Sequence, residues 1–285
     1  MANTSVTKSS NQKVGFATFC ANPAVRQNIA NVIGEKKATQ FIASVVSAVQ
    51  TNKELANCTN SSIFSAALLG ESLNLSPSPQ LGQFYLIPFR DRKTGISEAT
   101  FQLGAKGYKQ LAVRSGQYRK IVTSVVKEGE LKSYNPITEE YVFEPVTDPT
   151  IREKLPVVGY YASFTLNNGF QKELYWSKEK MTEHAKRYSQ GYRSDVNKGT
   201  SYTFWSKDFD AMAEKTMIRQ LISKWGIMSI EMQKAYESDM GVLREDGGVR
   251  YIDNEEDIDE TVQMEIVENA NQSELVVDTT EETFE

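Results

Sequence analysis

The stretch TFQLGAKGYKQLAVRSGQYRK, Thr100 to Lys120, reads as strand, glycine turn, helix, glycine stop and strand. Gly104 and Gly107 free the backbone for a tight turn where the helix begins. On that helix Lys106, Lys109, Gln110 and Arg114 stand at i, i+3, i+4 and i+8, while Tyr108, Leu111 and Ala112 point to the other side. One face is therefore basic and the other packs, a pattern that an ordinary amphipathic helix would also show.

Upstream, Phe41, Ile42, Val45, Val46 and Val49 fall on one face at helical spacing within Ala38 to Gln50, and a second helix runs from about Ser62 to Leu73. Pro77 and Pro79 mark its exit. The period then changes. Gln83 to Phe89, Glu98 to Leu103, Arg119 to Glu128, Tyr141 to Phe143, Val157 to Leu166 and Phe170 to Trp176 are rich in β-branched and aromatic residues and read as strands. Asn168-Gly169 between the last two is a hairpin signal. Helices return at Lys178 to Tyr188, capped by Ser177, at Asp208 to Trp225, stopped by Gly226, and around Ile230 to Tyr236. Central strands with helices segregated at both ends predict an α+β fold, a small antiparallel β-sheet core backed by helices.

Three segments follow from composition. Residues 1–22 are rich in Ser, Thr, Asn and Gln and are expected to form a mobile arm; residues 23–236 form the folded body; residues 237–285, with the acidic run Asp253 to Glu260, are expected to be a disordered tail. The net charge of -5 over 285 residues hides a division. Up to Lys234, 30 Lys and Arg stand against 20 Asp and Glu; from Glu237 onward, 2 stand against 17. A basic body can hold a polyanion by releasing its counterions, and an acidic tail can compete with that polyanion or recruit a partner.

Two cysteines without CxxC spacing and the single His184 argue against structural zinc and a disulfide framework. No apolar run fits a signal peptide or a membrane span, so a cytoplasmic protein with no membrane partner is expected. The sequence holds no GxxxxGK[ST] for nucleotide phosphates. Glu130-Leu131-Lys132 matches half of a nuclease motif but lacks an upstream acidic residue in strand context.

Two further basic groups accompany the first. Lys178, Lys180, Lys186 and Arg187 run past Tyr188 into a long connection, Gln190 to Thr203, where Arg193 and Lys198 alternate with Tyr192 and Tyr202. Cations that track a backbone and rings that stack on bases of any identity are how single-stranded nucleic acid is commonly held. The third group is Lys207, Lys215, Arg219 and Lys224, on a helix whose other side carries Phe209, Met212, Ala213, Met217 and Leu221.

Phe101 to Ile121, Asn168 to Met181 and Asp208 to Gly226, in this order, resemble the RecT family of phage and prophage single-strand annealing proteins. The similarity spans roughly Asn22 to Tyr236, and beyond Gly241 it is read in acidic character alone. It implies ATP-independent annealing of complementary DNA strands by a homo-oligomeric ring or filament. It also implies a short sheet backed by a helix, a 5′ to 3′ exonuclease partner and association with host single-strand-binding protein. No catalytic residue, metal or cofactor is implied, and Mg2+ has a place only as a counterion of single-stranded DNA and the annealed duplex. The phosphate contacts expected are Lys106, Lys109, Gln110, Arg114, Arg119, Lys120, Lys186, Arg187, Arg193, Lys198, Lys207, Lys215 and Arg219, with Tyr188, Tyr192, Tyr202 and Trp205 as stacking residues. The charged turn Asp91 to Gly95 departs from the family pattern, so Arg90, Arg92 and Lys93 receive no role. A passive single-strand coat without annealing activity is the alternative.

Overall fold

In the computed structural model, which describes residues 14–78, 80–91, 94–135, 137–244 and 248–251, the N-terminal part is a helical layer. It comprises α1 (Phe16–Ala21), α2 (Pro23–Ile33), α3 (Glu35–Thr51) and α4 (Asn60–Ser72). Asn22 caps α2 by accepting from the Ala24 N–H at 2.9 Å, with Pro23 preset in the first turn. Ala38, Phe41, Val45 and Val49 form the buried stripe of α3. The expected mobile arm is corrected over its last part: α1 forms there because Phe16 and Cys20 are buried and Phe19 meets the ring of Phe64 on α4. Residues 1–13 lie outside the described residues, as do Pro79, Arg92 and Lys93.

The strands and helices that follow are β1 (Phe84–Arg90), β2 (Ser97–Leu103), α5 (Ala105–Arg114), β3 (Tyr118–Lys127), β4 (Leu131–Asn135), β5 (Glu140–Phe143), α6 (Pro149–Lys154), β6 (Val157–Leu166) and β7 (Gln171–Ser177). After them come α7 (Lys178–Tyr188), α8 (Gln190–Lys198), α9 (Phe204–Lys207), α10 (Phe209–Trp225), α11 (Ile230–Ser238), β8 (Gly241–Leu243) and β9 (Val249–Tyr251). The mixed α and β class stands, with the strands divided among three antiparallel sheets ordered β1-β2-β8-β9, β3-β6-β7 and β4-β5. Along β6, Tyr160, Ala162, Phe164 and Leu166 alternate inward. They pack with Ala213, Met217, Ile218, Leu221 and Ile222 of α10 in one core, each large apolar side chain contributing about 1.5–3 kcal/mol. Among the described residues no helix is long and apolar enough to cross a membrane.

Two sequence expectations change. The connection Gln190 to Thr203 contains a helix, α8, capped by the Ser189 side chain, which accepts from the Tyr192 N–H at 3.2 Å. The body also runs past Tyr236: α11 continues to Ser238, Asp239 is buried, and β8 and β9 extend the first sheet, with Val242 in the core. Arg250 of β9 pairs with Asp91 at 2.9 Å and with Glu98. The acidic composition of that region concealed these short alternating strands. Residues 252–285, including Asp253 to Glu260, lie outside the described residues.

Glu130 is an anchor within this architecture. Its buried carboxylate accepts from Arg152 Nε at 2.6 Å and Nη2 at 3.1 Å, from the Lys127 N–H at 2.8 Å and from the Val146 N–H at 3.2 Å. Burial alone would raise the carboxyl, yet Arg152 and the two backbone donors hold it below the ordinary range. Lys132 pairs instead with Glu144 at 3.2 Å. The Glu130-Leu131-Lys132 triplet thus ties α6 to the base of the β4-β5 hairpin.

Candidate nucleic-acid interface

Backbone packed directly on backbone fixes the first turn of α5. The Gly104 N–H donates to the Gln83 carbonyl at 2.8 Å. A Cβ at Gly104 would come within 2.1 Å of the Gly82 carbonyl oxygen, and one at Gly107 within 2.1 Å of the Gln83 carbonyl oxygen, so neither position accepts a side chain without movement. This seating turns Lys106 and Gln110 outward, both exposed, and buries Tyr108, Leu111 and Ala112. Lys109 is half-buried: its Nζ donates to Thr123 Oγ1 at 2.7 Å, which donates to Glu214 Oε2 at 2.8 Å, joining α5, β3 and α10.

Arg114, at the far end of α5, donates to the carbonyls of Leu73 at 2.5 Å and Asn74 at 3.0 Å. It thereby ties the end of α5 to the two residues that follow α4 and is engaged within the fold. Arg119 and Lys120 are both exposed where β3 begins, at a register shift against β6.

On α7 and α8, Lys186, Arg187, Arg193 and Lys198 are exposed, with the Arg187 guanidinium 5.4 Å from the ring centre of Tyr188. His184 lies between Trp176 and Tyr188; burial first, and then Arg219, Arg187 and Lys180, push its imidazole down to about 4. The connection from α8 to α9 is organised by buried Asp195. Its Oδ2 accepts from the Tyr202 N–H at 3.0 Å, the Thr203 N–H at 2.8 Å, Thr203 Oγ1 at 2.9 Å and Ser206 Oγ at 2.7 Å, and its Oδ1 from Thr200 Oγ1 at 2.7 Å. The Thr203 amide first, and the hydroxyls with it, hold this carboxyl far below its ordinary range.

The expected stacking residues separate. Tyr202 is 78% exposed, whereas Trp205 is 7% exposed and packs edge-on against Phe209, with Tyr192 half-buried against both. Tyr188 is half-buried beside His184. Trp205 is therefore a core residue with no free face for a base.

The third basic group separates in the same way. Lys207 is exposed, but Lys215 is buried and its Nζ lies 3.1 Å from Asp239 Oδ1. Arg219 lies 3.9 Å from Asp239 Oδ2 with its guanidinium 4.6 Å from the centre of the Tyr236 ring. Burial lowers the Lys215 ammonium despite Asp239; for Arg219, Tyr108 and Asp239 outweigh burial and raise it. Asp239 also accepts from the Leu103 N–H at 2.9 Å and from Tyr108 Oη at 3.0 Å. Lys215 and Arg219 thus hold the C-terminal segment to α5 and β2.

Two residues that the sequence reading left out, Tyr85 and Phe204, connect the strand beside the first group to the helix that follows the second. The rings of Tyr85 and Phe204 stand 6.3 Å apart, so the start of α9 reaches β1. A Cβ at Gly82 would lie 2.9 Å from Tyr85 Oη and 3.5 Å from Lys106 Cδ, which places both side chains over the same glycine. The fragment Tyr202 to Trp205 held the signal, since two exposed aromatics, Tyr202 and Phe204, flank the capping Thr203 there and precede the core Trp205.

A family model described as RecT family matches residues 39–275, and so reaches past Gly241. Uncharacterized protein YqaK of Bacillus subtilis (strain 168) is 39% identical over 247 residues, covering 86% of this chain and 78% of that protein. Protein RecT of Escherichia coli (strain K12) is 29% identical over 225 residues, covering 78% of this chain and 79% of that protein.

Proposed function

The chain belongs to the RecT family, and from that membership we propose that it binds single-stranded DNA and anneals complementary strands in recombination, without ATP, as a homo-oligomeric ring or filament. The observation that carries the reading is the set of exposed cations, Lys106, Arg119, Lys120, Lys186, Arg193, Lys198 and Lys207, that form no ion pair among the described residues. Native surfaces of mixed charge intersperse both signs. These seven lie on α5 with the start of β3 and on α7 to α9, and the ring contact of Tyr85 and Phe204 joins β1 to α9; Arg26, Lys36, Lys53 and Lys234 are likewise exposed without an ion pair among the described residues. Such charge holds phosphates by releasing their counterions, with no sequence preference, while pairing between the strands supplies the matching.

Annealing on this reading needs no covalent step and no cofactor, and Mg2+ acts only as a counterion of the DNA. A 5′ to 3′ exonuclease would supply the strands, and host single-strand-binding protein would occupy them beforehand. The test is duplex formation between complementary labelled oligonucleotides followed by fluorescence transfer, without nucleotide. Acceleration by the protein is expected; retardation would mark a passive coat instead.

A further inference from the structure

The connection between α8 and α9, with the first residue of α9, combines two properties. It is tightly tied, through the bonds to Asp195, and it holds two neighbouring aromatic rings in solvent, Tyr202 at 78% and Phe204 at 49% exposure. At this connection the Thr203 cap and the Asp195 carboxylate fix the backbone on either side of the rings. One side of the Phe204 ring leans on Tyr85 at 6.3 Å and an interplanar angle of 36°, and half of its surface remains open. The stem of exposed Lys106 passes over Gly82 beside Tyr85.

A half-open aromatic ring backed by a second ring, whose hydroxyl end shares Gly82 with the stem of a lysine that has no ion pair among the described residues, offers an apolar face for a base and a cation for a phosphate of the same strand. We propose that Phe204, supported by Tyr85, is a stacking platform for one unpaired nucleobase, with Lys106 meeting the phosphate of the same stretch of strand. The inference rests on the single-strand-binding reading above and adds a site to it. Such a slot accepts any base and refuses one already enclosed in a duplex, so it favours the unpaired strand over the annealed product.

The test compares the parent, Phe204→Ala, Phe204→Trp and Lys106→Ala in binding an oligonucleotide that carries 2-aminopurine, across a series of salt concentrations. Phe204→Ala should weaken binding about 5- to 150-fold, the equivalent of one base stack, and should abolish the quenching seen with the parent. Because stacking releases no counterions, the log-log salt slope should stay that of the parent, whereas Lys106→Ala should lower it. Phe204→Trp should restore both affinity and quenching. Parental affinity in Phe204→Ala, or the same loss on a strand made abasic throughout, overturns the platform. If the parent itself binds no single strand, the underlying reading fails first and the slot with it. An unfolding midpoint equal to the parent's, expected for a half-exposed ring, keeps a binding loss from being a folding loss.

Discussion

Replacing Asp239 by Ala tests whether Lys215 and Arg219 are structural or DNA-facing. The carboxylate is 1% exposed and accepts from Leu103 N–H, Tyr108 Oη and Lys215 Nζ at 2.9, 3.0 and 3.1 Å. Its removal leaves a buried ammonium without a counter-charge, which costs about 3–5 kcal/mol. Two orphaned neutral donors, at about 1–3 kcal/mol each, push toward the upper end of that range, while the lysine can limit the loss by shedding its proton. For a body of this size each kcal/mol moves the midpoint by about 2–4 °C, so a drop of about 6–20 °C is expected. Thermal unfolding of the parent and Asp239→Ala reads the midpoint, and urea unfolding of the parent, Asp239→Ala, Lys215→Met and the double variant reads the free energies. The double variant should lose less than the sum of the two single losses, because its two changes remove both partners of one buried pair. A loss below about 1 kcal/mol in Asp239→Ala, or strict additivity, would refute the ion-pair anchor.

The other expectations are more local. Arg114→Ala should lower the unfolding midpoint by leaving the Leu73 and Asn74 carbonyls without their donor, at about 1–3 kcal/mol, and should leave the salt slope of strand binding unchanged. His184 titrates at about 4 in the fold, against about 6.5 in the unfolded chain, so between these values only the unfolded chain takes up its proton. The stability it contributes is fully present above about 6.5 and declines as pH falls toward 4; His184→Phe should flatten this window in pH-dependent urea unfolding. Ending the chain after Tyr251 should leave thermal unfolding unchanged and strengthen strand binding at low salt by removing 13 acidic residues. Ending it after Ser238 should instead destabilise the body, because Asp239 is lost.

Local pattern carried most of the elements. β6 and α7 fall where alternation and the Ser177 cap place them, Val157–Leu166 and Lys178–Tyr188, because a strand with one buried face and a capped amphipathic helix each announce themselves over a single window. What a single window does not hold is the partner of a charge. Lys215 and Arg219 stand at the same helical spacing as a phosphate-facing pair, and only the fold brings Asp239 against Lys215 from 24 residues downstream, out of a region whose composition reads as tail. The acceptors of Arg114 lie 40 and 41 residues upstream. Asp195 looks like one more surface carboxylate among Ser, Asn and Gly until five donors converge on it, and with it α8 and the outward turn of Tyr202 and Phe204 escape notice. Trp205 was the more conspicuous aromatic, and its size is why it is in the core.

The most direct measurement is the salt dependence of single-strand binding for the parent, for Lys106→Ala combined with Lys186→Ala, and for Lys215→Met. If unpaired cations on α5 and on α7 to α9 hold phosphates, the parent should show a steep negative log-log slope. The double variant should be shallower by about 1.4, two contacts at roughly 0.7 each, and Lys215→Met should match the parent. A parent slope near zero, or a double variant with the parental slope, would contradict the assignment of this surface to the DNA backbone.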